Sequence, residues 1–237
     1  MISILFMFKY LLNLSIILIL FNSNTSAFEN SKIKIREFSI NKYEVTIKEF
    51  EEFATKTNFL TEAEKTGGGY EWGMGWEKRK NWNYKNPYGQ KPETKLEPAV
   101  HVSRYEAEKY CNYAGGRLPT FNEWKLAAYT QILDSKKFEK GKTYPFPSGQ
   151  IAENMNSQDL MKFNKHVAVT KLPEQINSLV AMGGNVWEWN SDEKNKESLT
   201  SGASWWYGSS KTTVDQVQFK PSNFYAVYVG FRCAFDK

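Results

Sequence analysis

Apolar and polar residues alternate near the start of the chain, with Ile33, Ile35, Phe38 and Ile40 at the apolar positions and a slip near Arg36-Glu37. A period of two marks a strand with one buried face, so residues 33–45 are predicted as strand. At Thr46 the period changes. Thr46-Ile47-Lys48-Glu49 has the capping-box spacing, in which the Thr oxygen takes an early backbone N–H and the Glu reaches back to the cap. The helix it opens turns Phe50 and Phe53 toward a core. Ser103-Arg104-Tyr105-Glu106 opens a second helix, whose stripe is Ala107, Tyr110, Cys111 and Ala114. Cys111 therefore faces the interior. Gly115-Gly116 ends that helix, because glycine accepts the left-handed cap. Thr120-Phe121-Asn122-Glu123 opens a third helix through Tyr129, with Pro119 just outside, where no helical N–H is needed.

Other stretches carry no clear period. Residues 58–98 hold Gly67-Gly68-Gly69, Trp72, Trp76 and Trp82, and Pro87, Pro92 and Pro98, and are predicted to be irregular. After residue 131 the chain reads as loops and short strands, at 167–170, 202–207 and 225–233. Helices early and short strands late predict an irregular α+β fold.

Composition changes this picture in three places. Aromatics make up 16% of the chain, including 8 Trp and 13 Tyr, enough to build a core and also to line a ligand groove. Net charge is +5, but basic and acidic residues interleave without a dense basic stripe, so no nucleic-acid partner is expected. Residues 1–27 hold one charge, Lys9, then the apolar run Leu11 to Phe21 and the small-residue pattern Asn24-Thr25-Ser26-Ala27. That is the layout of a signal peptide cut after Ala27, with Met1 or Met7 as the start, leaving residues 28–237 as one domain. The protein is expected to be exported, periplasmic or secreted, with no later membrane span. The two cysteines, Cys111 and Cys233, suit either one disulfide in an oxidising compartment or two buried thiols.

Several segments, in order, resemble one family. They are Tyr43-Glu44-Val45-Thr46, Leu60 to Lys65, Asn81-Trp82, Pro98 to Ser103, Ala107 to Trp124, Gly184-Asn185-Val186-Trp187-Glu188-Trp189, and Gly230-Phe231-Arg232-Cys233-Ala234. Together they resemble the formylglycine-generating enzyme, or sulfatase-modifying factor, domain over nearly all of residues 33–237. The resemblance implies a C-type-lectin-like α+β fold with little regular secondary structure. It also implies a disulfide between Cys111 and Cys233.

The catalytic members bind copper(I) through two thiolates after a Gly-Gly-Ser segment, since a soft ion prefers sulfur. The matching stretch here is Gly202-Ala203-Ser204-Trp205-Trp206-Tyr207, and the two thiol positions fall on Tyr207 and Thr212. Neither is a soft ligand, so copper and formylglycine synthesis are not expected. A non-haem iron site needs several histidines; His101, expected in a short strand before the second helix, and His166, in a loop, are the two present, without supporting local spacing, so iron is not expected. Calcium is the one metal for which the resemblance offers oxygen ligands. It points to the carbonyls of Gly184 and Val186 with Glu188, and to Asn154 and Met155 with Asp159, while Ala181 stands where the family has a further Asn.

Trp187 and Ser204 match positions lining the family's active cleft, and Trp206, Tyr207 and Thr212 fall in the former copper region. Three adjacent rings at 205–207 suit stacking on a ligand. The expected function is thus an exported, non-catalytic binding or accessory protein that holds a peptide, a glycan or a partner protein in the old cleft. The competing expectation is an oxidoreductase of altered chemistry on the same scaffold.

Overall fold

The computed structural model describes residues 28–237; the expected signal peptide lies outside the described residues. In chain order the elements are β1 (Lys32–Lys34), β2 (Phe38–Asn41), α1 (Ile47–Thr57), α2 (Glu62–Lys65), β3 (Gly68–Trp72), β4 (Trp76–Lys80), α3 (Arg104–Tyr113) and α4 (Phe121–Tyr129). Then follow β5 (Trp187–Lys194), β6 (Glu197–Ser201), β7 (Gln218–Pro221), β8 (Val229–Gly230) and β9 (Ala234–Asp236). The result is an α+β domain in which long loops connect few regular elements.

The three long helices begin where the capping boxes predict. Thr46, Ser103 and Thr120 are extended caps, and each backbone N–H donates to the Glu three residues on, at 2.8, 2.8 and 2.9 Å. Glu106 also works beyond its own helix. Its other oxygen accepts from the Glu62 N–H at 2.7 Å, which ties α2 to α3. The slip at Arg36-Glu37 is the turn between β1 and β2, and β9 pairs with the other edge of β2. The main sheet runs β7-β6-β5-β8, antiparallel except for the short parallel β5–β8 pairing.

Phe50, Tyr84, Tyr110 and Phe231 interlock at the centre, with ring centroids 4.7 to 6.1 Å apart. Cys111 and Cys233 are both buried in this cluster and bonded to each other, their Cα atoms 5.5 Å apart. The bond joins α3 to the segment that leads into β9.

Five expectations are corrected. Residues 58–98 are not simply irregular, since they contain α2 and the β3–β4 hairpin, paired from Gly68↔Lys80 to Trp72↔Trp76. Alternation failed to show it because Gly68 and Gly69 begin β3. A side chain at Gly69 would put its Cβ 2.2 Å from the His101 ring, so the strand passes where only glycine fits. Residues 202–207 are not strand, because Gly202 (φ 91°) and Ala203 (φ 61°) turn the backbone into the left-handed region. Within 167–170 the chain makes a 3-10 turn from Val169, not a strand. Of 225–233 only Val229–Gly230 is strand, because the segment hands its backbone bonds in turn to Tyr70, Trp187 and Val45. His101 was also expected in a strand; its φ of 56° places it in a bend.

Candidate functional site: a buried ionic centre and an aromatic cleft

β5 carries side chains to two different places. Glu188 points into the interior and meets Arg232. The Arg232 Nε donates to Glu188 Oε2 at 2.7 Å and its Nη2 to Oε1 at 2.6 Å. Its remaining donors reach the carbonyls of Asn41 (3.1 Å), Lys42 (3.0 Å) and Val180 (2.8 Å). All five guanidinium N–H groups are thus used. Trp124 Nε1 adds a bond to Glu188 Oε2 at 2.8 Å. Nearby, the buried Glu44 accepts from Asn185 Nδ2 at 2.6 Å and from the Val186 N–H at 3.3 Å. Burial, together with the charge of Glu188, holds the Glu44 carboxyl well above its ordinary range, against the opposing pull of Arg232.

Trp187, one residue before Glu188, faces the other way and forms the floor of a cleft of about 320 Å³. Tyr207, Tyr228 and Phe224 rise around it, and Trp76 from the hairpin closes one side. The Tyr207 ring lies 5.5 Å from Trp187, and Trp76 packs edge-on to Phe224 at 4.7 Å. Two further hollows, of about 220 and 530 Å³, share Trp76, so the hairpin borders one continuous aromatic surface. Trp72, Met74, Trp76, Trp206 and Phe219 are exposed along it. Among the described residues, the sole ammonium in the cleft is Lys220 on β7. Its Nζ lies 4.7 Å from the centre of the Trp187 ring and 2.6 Å from Gln218 Oε1. Lys220 is half-buried overall, and its apolar surroundings push its pKa down to about 7.

The predicted site residues divide. Trp187, Tyr207 and Trp206 come together, the last beside Tyr228 at 5.7 Å. Ser204 does not reach the cleft surface; it is fully buried, and its Oγ has no partner. Thr212 lies elsewhere: its hydroxyl donates to the Ser209 carbonyl at 2.7 Å and its own carbonyl accepts from Tyr129 at 2.8 Å. A 3-10 turn at Ser209–Thr212 carries it toward α4. Trp76, Lys220, Phe224 and Tyr228 were not foreseen. A signal for two of them existed in the mirror arrangement Trp72-Gly73-Met74-Gly75-Trp76 and in the Gln218-Phe219-Lys220-Pro221 alternation.

The expected calcium ligands do not fit calcium at Glu188. Both of its oxygens already accept from donors, and the nearest is a guanidinium, which repels a second cation. In the other segment Asn154 is exposed, Met155 is buried against Gly183, and Asp159 accepts from Ser157 and Ser209. The position expected to be Asn holds Ala181 at φ 58°. The histidines are separately engaged: His101 Nε2 bonds the Pro87 carbonyl at 2.9 Å, and His166 Nδ1 the Tyr88 hydroxyl at 3.1 Å. Among the described residues no group of three His, Cys, Asp or Glu side chains is placed to hold a metal ion.

Fold and site together define a lectin-like α+β domain that has an aromatic cleft and, among the described residues, no free cysteine. Residues 19–237 match the sulfatase-modifying factor enzyme 1-like domain, and the chain belongs to that family. It is 29% identical over 191 residues to the formylglycine-generating enzyme of Mus musculus, an alignment covering 68% of this chain and 50% of that protein. It is 29% identical over 210 residues to the inactive C-alpha-formylglycine-generating enzyme 2 of Bos taurus, covering 73% of this chain and 67% of that protein. The chain thus spans about half the length of the mouse enzyme. In three dimensions it is similar to PvdO from Pseudomonas aeruginosa, with a TM-score of 0.62, 18% identity, and coverage of 84% of this chain and 80% of that one.

Proposed function

We propose that this chain is an exported, non-catalytic member of its family that binds a ligand in the aromatic cleft. One observation carries the reading. The positions that match the family's copper thiolates are Tyr207, a ring of the cleft wall, and Thr212, buried away from it, while Cys111 and Cys233 are bonded to each other in the core. No thiol is left to hold copper(I) or to be exchanged with a substrate cysteine. What remains is a concave apolar surface with a few polar groups, the usual form of a small-ligand site. The relative named inactive agrees with this reading. Export with removal of residues 1–27 is supported by the small-residue pattern ending at Ala27 and by a disulfide that requires an oxidising compartment.

The test uses the exported protein with its disulfide intact. It is incubated with copper(I) and a cysteine-containing sulfatase-type peptide, and the peptide is followed by mass spectrometry. The mature N-terminus should be residue 28, and the peptide cysteine should remain unchanged. Conversion to formylglycine, or iron or copper retained at one per chain after purification, would sink the reading.

A further inference from the structure

We propose that Lys220 is the anchor for a carboxylate, so that the cleft takes ligands joining an aromatic or other flat apolar body to a single carboxylate group. This rests on the cleft being the binding site, as argued above, and names the class of ligand.

The walls set one half of the requirement. Trp76, Trp187, Tyr207, Phe224 and Tyr228 present ring faces and edges around about 320 Å³, which suits a planar body of one or two rings. The floor sets the other half. An ammonium has three N–H donors, and Lys220 uses one on Gln218 and rests over the Trp187 ring. Among the described residues it has no carboxylate partner, whereas Lys42, Lys48, Lys85, Lys95, Lys165 and Lys171 each pair with a glutamate. The indole Nε1 of Trp187 also has no acceptor. The cleft therefore holds a cation in apolar surroundings with spare donors and no anion, an arrangement that an incoming carboxylate completes with charge-assisted bonds. One charge argues for a carboxylate over a phosphate dianion, which needs more donors than this cleft has.

The groups facing Lys220 leave it the controlling titration. The other titratable residues of the cleft are the phenols Tyr207 and Tyr228. Across β6 it opposes Ser198, while Glu197 opposes Pro221, one residue along. On the hairpin, Glu71 and Glu77 are both paired with Arg79. With its pKa near 7, the free amine is about half protonated at neutral pH, and a bound carboxylate holds the proton on it. Binding therefore takes up a proton, and affinity for an acid falls as pH rises above 7, toward tenfold per pH unit.

Calorimetry on the disulfide-intact protein tests this with three probes at pH 6, 7, 8 and 9. N-acetyltryptophan stands for the end of a polypeptide, indole-3-propionate for a free small acid, and N-acetyltryptophanamide is the neutral control. Both acids should bind at least tenfold more tightly than the amide at pH 6 and lose that advantage by pH 9. The tighter of the two acids identifies the source of the carboxylate. Lys220→Met should bring acid and amide to the same affinity. Lys220→Arg should keep the preference for acid and abolish its pH dependence. Equal binding of acid and amide by the wild type, or an acid affinity flat from pH 6 to 9, overturns the role of Lys220 while leaving the cleft as the site. Failure of all three probes to bind removes the cleft reading and this inference with it.

Discussion

Glu188 and Trp187 are adjacent in sequence yet serve two regions built on opposite rules. At the ionic centre every donor of Arg232 has an acceptor, and both Glu188 oxygens are used. In the cleft, Lys220 keeps donors to spare and Trp187 Nε1 has no partner. Both regions place a cation among apolar groups. One is closed by the protein's own carboxylate, and the other is left for something else to close. A buried charge therefore says little about function until its partners are counted.

The comparison is tested most strongly by making the same change in each region. Arg232→Met leaves Glu188 buried without its partner and should cost about 5 kcal/mol or prevent folding. Lys220→Met should leave stability unchanged or raise it near neutral pH. The sign follows from linkage: its folded pKa is lowered, so between about pH 7 and its unfolded value near 10.5 the unfolded chain binds more protons. Stability of the wild type should accordingly rise with pH across that window, and Lys220→Met should lose that rise. Urea melts of both variants at pH 7 and 9 measure this, and equal destabilisation by the two would erase the distinction.

A slightly smaller effect is expected from the disulfide, which lies on the core side. It joins residues 122 apart, and replacing both cysteines by alanine should cost about 4 kcal/mol, because the unfolded chain regains the freedom of a long loop. Denaturation with and without reductant reads it; ligand affinity of the oxidised and still-folded protein gives the reference for the cleft.

Acid should act on the interior below the pH range in which the cleft lysine titrates. Burial lowers the His101 pKa to about 3, so its ring stays neutral in the fold while the unfolded chain takes up a proton near pH 6.5. Stability is therefore unaffected by this group above pH 6.5 and falls below it by up to about 1.4 kcal/mol per pH unit. The raised Glu44 works in the opposite direction, so the clean measurement is a difference. His101→Gln should show a shallower loss of stability from pH 6.5 to 4 than the wild type, and parallel curves would refute the assignment.

A small loss of stability is expected at the cleft wall. Trp76 is half-exposed, at 50% relative surface area, so Trp76→Ala should change stability by less than about 1 kcal/mol. The same substitution should weaken aromatic ligands tenfold or more by calorimetry, because the ring is one face of the site. Unchanged affinity would place binding elsewhere.

How much of this was legible before folding depended on how local each signal was. The capping boxes at Thr46, Ser103 and Thr120 are complete within four residues, and all three open helices. The Cys111–Cys233 pairing rested on the ordered resemblance, and the bond is present. Of the three adjacent rings at 205–207, Tyr207 lines the cleft and Trp206 the adjoining hollow. Thr212 misled because a 3-10 turn rotates it toward Tyr129, which residue counting does not register. Glu188 misled because its partner, Arg232, is 44 residues away and was read only as part of a motif. The hairpin was hidden because its first strand opens on two glycines, Gly68 set against the Arg79 carbonyl of the partner strand and Gly69 against the His101 ring.

That hairpin has a further consequence. β3 and β4 pair with each other, and the attachment to the body runs through β3, by the Val227 N–H to the Tyr70 carbonyl at 3.0 Å and the Trp72 N–H to the Tyr228 hydroxyl at 3.2 Å. In the stretch from Gly73 to Lys80, Met74 at the tip is fully exposed, while Trp76 folds back onto Phe224 and Tyr228 with ring centroids 4.7 and 6.3 Å apart. Mutations there alter what the cleft admits while sparing the interior that keeps the domain folded. On the proposed reading of the cleft, a library confined to this one short stretch is the shortest route to a binder of chosen taste.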